Sequence, residues 1–248
     1  MSGPVVVLDD VTVRFGRTTA LRGVCLQVGG GERVGVLGPS GAGKSTLLAL
    51  LNGTVAATEG TVRVLGQRPD LLSAKALRRL RARIGTVSQS LDLVGPLRVV
   101  HNVNAGRLAQ WSLPRAAWSL LRPQGVDLAV AALGRVGIAD RVFDRCDELS
   151  GGQQQRVAMA RLLVQDAELL LADEPVSSLD PGLAAHVLGL LVGLADEGAT
   201  LLASLHDPAL AVRFCDRLVG LRDGRVQLDV AASELPPGAL DELYAAQR

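Results

Sequence analysis

The sequence has 248 residues, of which 48% are hydrophobic, and it carries a formal net charge of +1 at pH 7. This length and hydrophobic content suit one large α/β domain and argue against a disordered chain. The balanced charge argues against a nucleic-acid-binding protein, because such proteins concentrate positive charge on one face. The cysteines are odd in number and far apart, which argues against a disulfide framework or a zinc site. They are Cys25, Cys146 and Cys215.

The hydrophobic pattern predicts neither a signal peptide nor a membrane-spanning segment. Residues 1–10 lack the basic stretch and the following apolar run of a secretory signal. The most apolar later run, at residues 184–195, is too short to cross a bilayer and predicts a buried helix. We therefore expect any association with a membrane to go through a partner protein.

The N-terminal third has the pattern of a small sheet followed by a strand, a glycine-rich loop and a helix. Short apolar or alternating runs bounded by turn residues predict its strands. These runs lie at residues 5–8, 11–15, 26–28, 33–37 and 60–66. The fourth run leads directly into the glycine-rich residues 38–46, and a helix is expected through residues 47–51.

The remainder divides into a helical stretch and a second α/β stretch. Residues 71–149 contain Arg-rich helical segments, both tryptophans and several prolines, which predicts a mostly helical insertion. After residue 150, strands and helices alternate, and this predicts a parallel sheet with helices on its faces. The expected elements are helix 160–165, strand 168–172, helix 181–197 and strand 200–204. The tail, residues 231–248, is expected to be a partly ordered surface appendage.

The glycine-rich segment has the spacing of a phosphate-binding loop. It consists of Gly38, Pro39, Ser40, Gly41, Ala42, Gly43, Lys44, Ser45 and Thr46. Glycines let backbone N–H groups turn toward phosphate oxygens, and the following helix points its positive end at the same anion. Lys44 is therefore predicted to reach the β- and γ-phosphates of ATP, and the Ser45 hydroxyl to bind Mg²⁺.

A second motif ends the predicted strand at residues 168–172. Asp173 and Glu174 follow it at the carboxyl end, where parallel sheets bind ligands. Asp173 is expected to hold Mg²⁺, and Glu174 to orient or deprotonate the attacking water. Two carboxylates after a strand would also suit a helix N-terminal cap. The phosphate loop upstream favours the catalytic interpretation.

A third motif begins the helix after residue 150. It consists of Ser150, Gly151, Gly152 and Gln153. The serine suits a helix N-cap, and the glycines allow an anion to approach the positive end of the helix. One chain does not need two such sites for one nucleotide. We therefore expect this motif to serve a nucleotide that another copy of the chain holds.

Taken together, these motifs resemble those of the ATP-binding subunits of ABC transporters, over nearly the whole chain. The resemblance implies an α/β fold with a P-loop NTPase core and a mostly parallel sheet. It also implies an N-terminal antiparallel β subdomain and an inserted α-helical subdomain. The single nucleotide-binding domain would span residues 4–248, with its core at 4–86 and 155–230, the helical insertion at about 87–154 and a tail at about 231–248.

The resemblance implies further site residues. Gln89 matches the glutamine that contacts Mg²⁺ and senses the membrane partner, and His206 matches the switch histidine at the γ-phosphate. Residues 178–180 match the segment that crosses the dimer interface. Phe15 stands where the family places an aromatic ring under adenine, and a core role is an equally good interpretation. The catalytic set implied in this way is Glu174, His206 and Lys44.

The same resemblance implies cofactors and partners. ATP and Mg²⁺ would bind between two copies of the chain, with the phosphate loop of one copy facing residues 150–153 of the other. One motif set without a membrane span implies an importer ATPase, peripheral on the cytoplasmic face of the cell membrane. Integral-membrane permease subunits would dock in a groove lined by residues 89–103, which predicts a partly apolar exposed patch. A solute-binding protein would act indirectly, and no nucleic acid is expected.

Longer segments are similar to the phosphonate-importer ATPases in particular. They are residues 149–158, 171–181 and 211–224, the insertion around 107–123, and Leu243-Tyr244 near the end. This similarity implies an ATP-hydrolysing subunit that energises phosphonate uptake across the cytoplasmic membrane. Three alternatives stay open at this point: an importer ATPase for an inorganic anion or an amino acid, an ABC ATPase without a transport role, and a non-enzymatic regulatory ATP-binding module. The presence of Glu174 and His206 argues against the third.

Overall fold

Two β-sheets organise the part of the chain that the computed structural model describes, which comprises residues 3–88, 91–177, 179 and 181–245. The strands are β1 (Val6–Phe15), β2 (Thr18–Val28), β3 (Arg33–Leu37), β4 (Glu59–Val64), β5 (Ile84–Val87), β6 (Leu169–Asp173), β7 (Thr200–Ser204), β8 (Arg217–Arg222) and β9 (Arg225–Ala231). The helices are α1 (Lys44–Leu51), α2 (Ala74–Ala82), α3 (Val99–Asn104), α4 (Leu113–Leu121), α5 (Val126–Arg135), α6 (Gly151–Leu163), α7 (Pro181–Asp196), α8 (Pro208–Phe214) and α9 (Ala239–Tyr244). Short 3-10 turns lie at Pro69–Leu71, Ala105–Gln110, Ala139–Arg141, Cys146–Glu148 and Ala232–Glu234.

The first sheet is antiparallel and has the order β2-β1-β4. The sequence predicts separate strands at residues 5–8 and 11–15, but the structure has one strand, β1, whose register shifts after Leu8. Asp10 has a φ of 47°, which marks a bulge at this shift. The bulge keeps Leu8 and Val11 buried in the same core, and the two short apolar runs therefore belong to one strand.

The second sheet has the order β5-β6-β7-β3-β8-β9 and is parallel except for β9, which runs antiparallel to β8. This confirms the predicted parallel sheet. Leu169 and Leu171 of β6 face the core shared with the first sheet and α1, whereas Leu170 and Ala172 face the core shared with α6 and α7. Because both faces are covered, the parallel strands are continuous apolar runs and do not alternate with polar residues.

The chain between β5 and β6 forms α3 to α6 with 3-10 turns between them. The expectation that the helical stretch begins at residue 71 is wrong for residues 84–87, which form β5 and pair with β6. Ile84 and Val87 are buried in this strand. So short an apolar run has no period that separates a strand from a helical turn, and only the pairing with β6 settles its conformation.

The C-terminal part contains elements that the sequence pattern did not predict. β8 and β9 complete one edge of the second sheet, and α9 follows them. The tail is more than a surface appendage as far as residue 245, because Leu243 of α9 is 2% exposed and packs in the core. One apolar side chain in a polar tail carries no periodic signal, so its burial could not be seen in the sequence.

The apolar run at residues 184–195 lies in α7, as predicted. Val187, Leu188 and Leu191 of this helix are buried in the core. Across the described ranges, none of the helices is both long enough and apolar enough to cross a membrane.

The thiols differ in their surroundings. Burial raises the pKa of the Cys146 thiol to about 11 and that of the Cys215 thiol to about 12. Cys25 of β2 is exposed. Since the thiolate is the reactive form, the two buried cysteines should be inert near neutral pH.

We expect a chromogenic thiol reagent to label about one cysteine per folded chain quickly and all three after denaturation in guanidinium. The fast phase should disappear in the Cys25→Ser variant, because only that thiol is accessible. Two or more fast equivalents in the folded protein would contradict the burial of Cys146 and Cys215.

Candidate functional site

The phosphate loop connects β3, in the interior of the second sheet, to α1. Gly38 has a φ of 142°, and a Cβ at this position would collide with the carbonyl oxygen of Leu221 on β8. Gly43 has a φ of 105°, and its Cβ would lie 2.5 Å from the carbonyl oxygen of Ala20 on β2. Both positions therefore require glycine, for the backbone conformation and for the close approach of neighbouring strands.

The loop ends in the first turn of α1. The Ala42 N–H donates to the Pro39 carbonyl at 3.1 Å, and the Leu47 N–H donates to the Gly43 carbonyl at 2.8 Å, which begins the helix. Ser45 lies in the first turn and is exposed. The remaining members of the predicted set lie beside it: Ser40 and Gly41 are exposed and Thr46 is half-buried. The positive end of α1 thus opens onto the loop.

The ammonium group of Lys44 lies inside the loop. Its Nζ donates to the carbonyl oxygens of Gly38 at 2.7 Å and Pro39 at 3.2 Å, and the residue is 5% exposed. Burial lowers the pKa of Lys44, and the nearby carboxylates of Glu174 and Asp173 oppose this effect. The structure therefore brings the lysine of the first motif within electrostatic range of both carboxylates of the second.

Ser204, at the end of β7, holds the two acidic residues. Its hydroxyl donates to Asp173 Oδ1 at 2.7 Å and accepts the Glu174 N–H at 2.9 Å. Ser204 is fully buried and pairs in register with Asp173 across the parallel strands. A buried hydroxyl that uses both its donor and its acceptor fixes the orientation of the groups that it contacts.

His206 contacts Glu174 directly. Its Nε2 lies 2.5 Å from Glu174 Oε1, and the two residues border a cavity of about 270 Å³. Glu174 has a φ of 50°, a left-handed conformation that is uncommon outside glycine. The side chain of Glu174 is 19% exposed and that of His206 is 45% exposed. The predicted catalytic pair is therefore adjacent, and water can reach it from the histidine side.

The third motif caps α6. The Ser150 hydroxyl accepts the Gln153 N–H at 3.4 Å, and the Gln153 side chain accepts the Ser150 N–H at 3.0 Å. This reciprocal capping box leaves Ser150 and Gly151 exposed. Further along the helix, the Gln155 side chain donates to the carbonyl of Pro175, directly after Glu174. The helix is thereby tied to the acidic segment of the same chain.

The other predicted site residues differ in what the structure describes of them. Phe15 ends β1 and is 52% exposed, so the alternative of a core role is wrong. Gln89 lies outside the described residues, as do Ser178 and Asp180 of the predicted interface segment. The intervening Leu179 is half-buried against the core.

Two residues of this site were missed from the sequence. Ser204 ends the apolar run of β7, and a polar residue at the carboxyl end of a parallel strand was the available signal. Gln155 lies in residues 149–158, one of the segments that are similar to the phosphonate-importer ATPases. Its contact with Pro175 spans 20 residues of sequence, so no local pattern predicts that contact.

A groove of about 1000 Å³ lies between α2 and the turn at Ala105–Gln110. Among the described residues of the predicted lining, 91–103, Asp92 borders this groove, and the lining is partly apolar through residues such as Ile84, Leu108 and Trp111. Five cationic side chains also line this groove, which we call the cationic groove: Lys75, Arg78, Arg79, Arg81 and Arg161. Four of these residues lie in α2. The sequence shows that this helix is basic, but only the folded structure shows that its charges face the groove.

Replacing Ser204 with alanine should impair catalysis more than stability. Loss of the hydroxyl frees the Asp173 carboxylate and the Glu174 N–H, and removal of such orienting contacts typically costs about 10–100-fold in activity. Steady-state phosphate release from ATP measures this effect. Thr200→Val is the matched control, because it removes one buried hydroxyl from the same strand, where Thr200 accepts the Gly31 N–H. Equal turnover in the two variants, at equal melting temperature, would contradict the role of Ser204.

Comparisons with known proteins agree with this geometry. The sequence profile of the ABC transporter family matches residues 21–177. The chain is 50% identical to "Phosphonates import ATP-binding protein PhnC 1" of Pseudomonas syringae pv. syringae over 92% of its length and 86% of that protein. It is 51% identical to "Phosphonates import ATP-binding protein PhnC 2" of Pseudomonas aeruginosa, over 91% of this chain and 85% of that one.

A solved structure supports the same assignment. The dimeric ATP-binding cassette MJ0796, in a post-hydrolysis state bound to ADP and Pi, superposes with a TM-score of 0.80 at 31% sequence identity. The match covers 92% of this chain and 98% of that one. With its phosphate loop, buried lysine and paired carboxylates in one fold, this chain belongs to the ABC transporter family, as one of its ATP-binding and ATP-hydrolysing subunits.

Proposed function

We propose that this chain is the ATP-hydrolysing subunit of an importer that takes up phosphonates across the cytoplasmic membrane. The assignment of phosphonates as the solute rests on sequence identity. Over more than nine-tenths of the chain, about half of the residues are identical to those of proteins named for phosphonate import. The chemistry rests on the site: Lys44, Asp173, Glu174 and His206 converge at the carboxyl edge of the second sheet.

In this proposal the phosphate loop binds the β- and γ-phosphates of ATP. Lys44 supplies a positive charge that is already desolvated and held by two carbonyl oxygens, so little reorganisation is needed for it to bind a phosphate. Phe15 stacks on the adenine from the tip of the β1–β2 hairpin. β2 passes the loop at Ala20, close to Gly43, which brings this hairpin to the nucleotide side of the sheet.

Mg²⁺ is the proposed metal. Its protein ligands would be the Ser45 hydroxyl and the Asp173 carboxylate, with Gln89 as the third candidate. Oxygen donors of this kind suit Mg²⁺, which takes its remaining ligands from phosphates and water. The hydrogen bond from Ser204 holds the Asp173 carboxylate in one orientation, as a ligand requires. When bound, the metal supplies neutralisation of the phosphate charge.

Glu174 and His206 carry the hydrolytic step in this proposal. The Glu174 carboxylate accepts the proton of the attacking water, and its contact with His206 Nε2 keeps the two groups together. His206 Nε2 donates toward the charge that develops on the transferred phosphoryl group, together with Lys44. The hydrogen bond from the Glu174 N–H to the Ser204 hydroxyl keeps the backbone of Glu174 in place while the proton moves.

Two copies of the chain form the working unit in this proposal. Ser150, Gly151, Gly152 and Gln153 of each copy would contact the nucleotide of the other. Over the residues that the structure describes, nothing lies within 4 Å of a Cβ placed at Gly151, so packing inside one chain does not account for glycine there. A backbone N–H at the start of the 13-residue helix α6 is suited to an external anion. The similar cassette MJ0796 is itself dimeric.

The cationic groove is the proposed docking site for the permease. Its dense positive charge favours a permease segment that carries carboxylates, because opposite charges steer and align partners. A solute-binding protein would deliver the phosphonate to the permease and would touch this chain only indirectly. The chain would then be a peripheral subunit on the cytoplasmic face of the membrane.

The Glu174→Gln variant should bind ATP but lose at least about 100-fold in turnover, because it removes the proton acceptor. It should also accumulate as a dimer in the presence of ATP, measured by light scattering after size-exclusion chromatography. Glu168→Gln is the control, since this exposed carboxylate lies just before the same strand and pairs with Arg83. Unchanged turnover in Glu174→Gln would rule out the assigned proton acceptor.

Growth on an alkylphosphonate as the sole phosphorus source tests the transported solute. A strain that lacks this chain and any other phosphonate uptake route should fail on the phosphonate and grow normally on inorganic phosphate. The intact chain should restore growth, and Glu174→Gln should not. Normal growth of the deletion strain on phosphonate would leave the ATPase assignment standing and point to an inorganic anion or an amino acid as the solute.

A further inference from the structure

The C-terminal helix α9 is docked on β8, next to the phosphate loop. The guanidinium of Arg222 on β8 donates to the backbone carbonyls of Glu242 at 2.5 Å and Ala245 at 2.6 Å. Leu243 is 2% exposed, and a Cβ at Gly220 would lie 2.9 Å from its Cδ2. The absence of a side chain at Gly220 thus makes room for Leu243, and two hydrogen bonds hold the helix end over β8.

This docking brings the Tyr244 hydroxyl to the first residue of the phosphate loop. Its oxygen accepts the Gly38 N–H at 3.1 Å. On the other side of the same residue, the Gly38 carbonyl accepts from Lys44 Nζ at 2.7 Å. Gly38 is also pressed against the carbonyl of Leu221. Both polar atoms of a glycine with a φ of 142° are therefore held, one by α9 and the other by the loop lysine.

We propose that Tyr244 is a positioning residue of the phosphate loop: its hydroxyl holds the Gly38 backbone, so that docking of α9 on β8 sets the affinity of the loop for the phosphates of ATP. The proposal depends on the ATP hydrolysis of the family and is independent of the transported solute. No step of the hydrolytic mechanism above uses Tyr244.

Two features separate this role from simple packing. The helix is already anchored by Leu243 and by the two bonds from Arg222, none of which involves the phenol oxygen. The phenol oxygen instead accepts the buried N–H of Gly38, the residue that directly follows the end of β3 at Leu37. Burial raises the pKa of Tyr244 and the Gly38 N–H opposes this effect, as expected for a phenol that is half-buried and hydrogen-bonded.

The decisive variant is Tyr244→Phe in the full chain, which keeps the ring and removes the hydroxyl. Because the loop loses one restraint and keeps its catalytic groups, the KM for ATP should rise by about tenfold while kcat stays within about twofold. The matched control is Asp241→Asn, an exposed change on the same helix, which should leave both constants as in the unchanged chain. An unchanged KM in Tyr244→Phe would overturn the proposal.

A second variant keeps the test informative about the helix itself. Leu243→Ala removes the buried anchor of α9 and should raise the KM for ATP at least as much as Tyr244→Phe. If Leu243→Ala raises the KM and Tyr244→Phe does not, the helix acts through packing alone and the role of the hydroxyl is refuted. The melting temperatures of both variants show whether a rise in the KM for ATP accompanies a loss of stability of the whole fold.

Spectroscopy can follow the docking directly, since Tyr244 is the only tyrosine in the 248 residues. In a rapid pH jump, the ultraviolet absorbance of its phenol should titrate above the ordinary range in the unchanged chain. The titration should return to that range in Leu243→Ala, because the undocked phenol is hydrated. Identical titration of Tyr244 in the unchanged chain and in Leu243→Ala would show that α9 does not dock in solution, and this would overturn the proposal.

Discussion

The register between three parallel strands positions the groups of the proposed nucleotide site. Asp173 of β6 pairs with Ser204 of β7, and Ser204 pairs with Val36 of β3. One row across the sheet therefore contains the acidic residue, the serine that orients it and the strand that leads into the phosphate loop. A shift of this register by one residue would turn each side chain to the opposite face and separate the motifs. Burial of both sheet faces makes such a shift very unfavourable.

Around that row, the positive charge of Lys44 and the negative charges of Asp173 and Glu174 partly balance each other. Burial disfavours the charged form of Lys44, and the carboxylates of Asp173 and Glu174 offset part of that cost. The carbonyls of Gly38 and Pro39 accept two hydrogen bonds from the ammonium group, and the Ser204 hydroxyl donates to one oxygen of the Asp173 carboxylate. In the proposed function, such a site presents to a phosphate the desolvated positive charge that electrostatic catalysis of phosphoryl transfer requires. The carboxylates beside it would serve as metal ligand and proton acceptor.

Segments that are remote in sequence make the remaining connections. Gln155 of α6 contacts the carbonyl of Pro175, so the helix that begins with the Ser150 motif is attached to the segment that carries Glu174. Tyr244 of α9 contacts Gly38, at a separation of 206 residues. Both elements reach backbone atoms of the site. Movement of either helix would thus displace the loop or the acidic segment without any change in the catalytic side chains.

The local motifs were readable in the sequence because each depends on residues that are close along the chain. The spacing of Gly38, Gly43 and Lys44 predicts the phosphate loop, and the apolar run before Asp173 predicts the strand that presents the acids. Sheet order, the conformation of residues 84–87, the role of Ser204 and the docking of Tyr244 depended on tertiary structure. Each of these comes from pairing or packing between distant segments, where one residue can form many alternative contacts and only the folded chain selects among them.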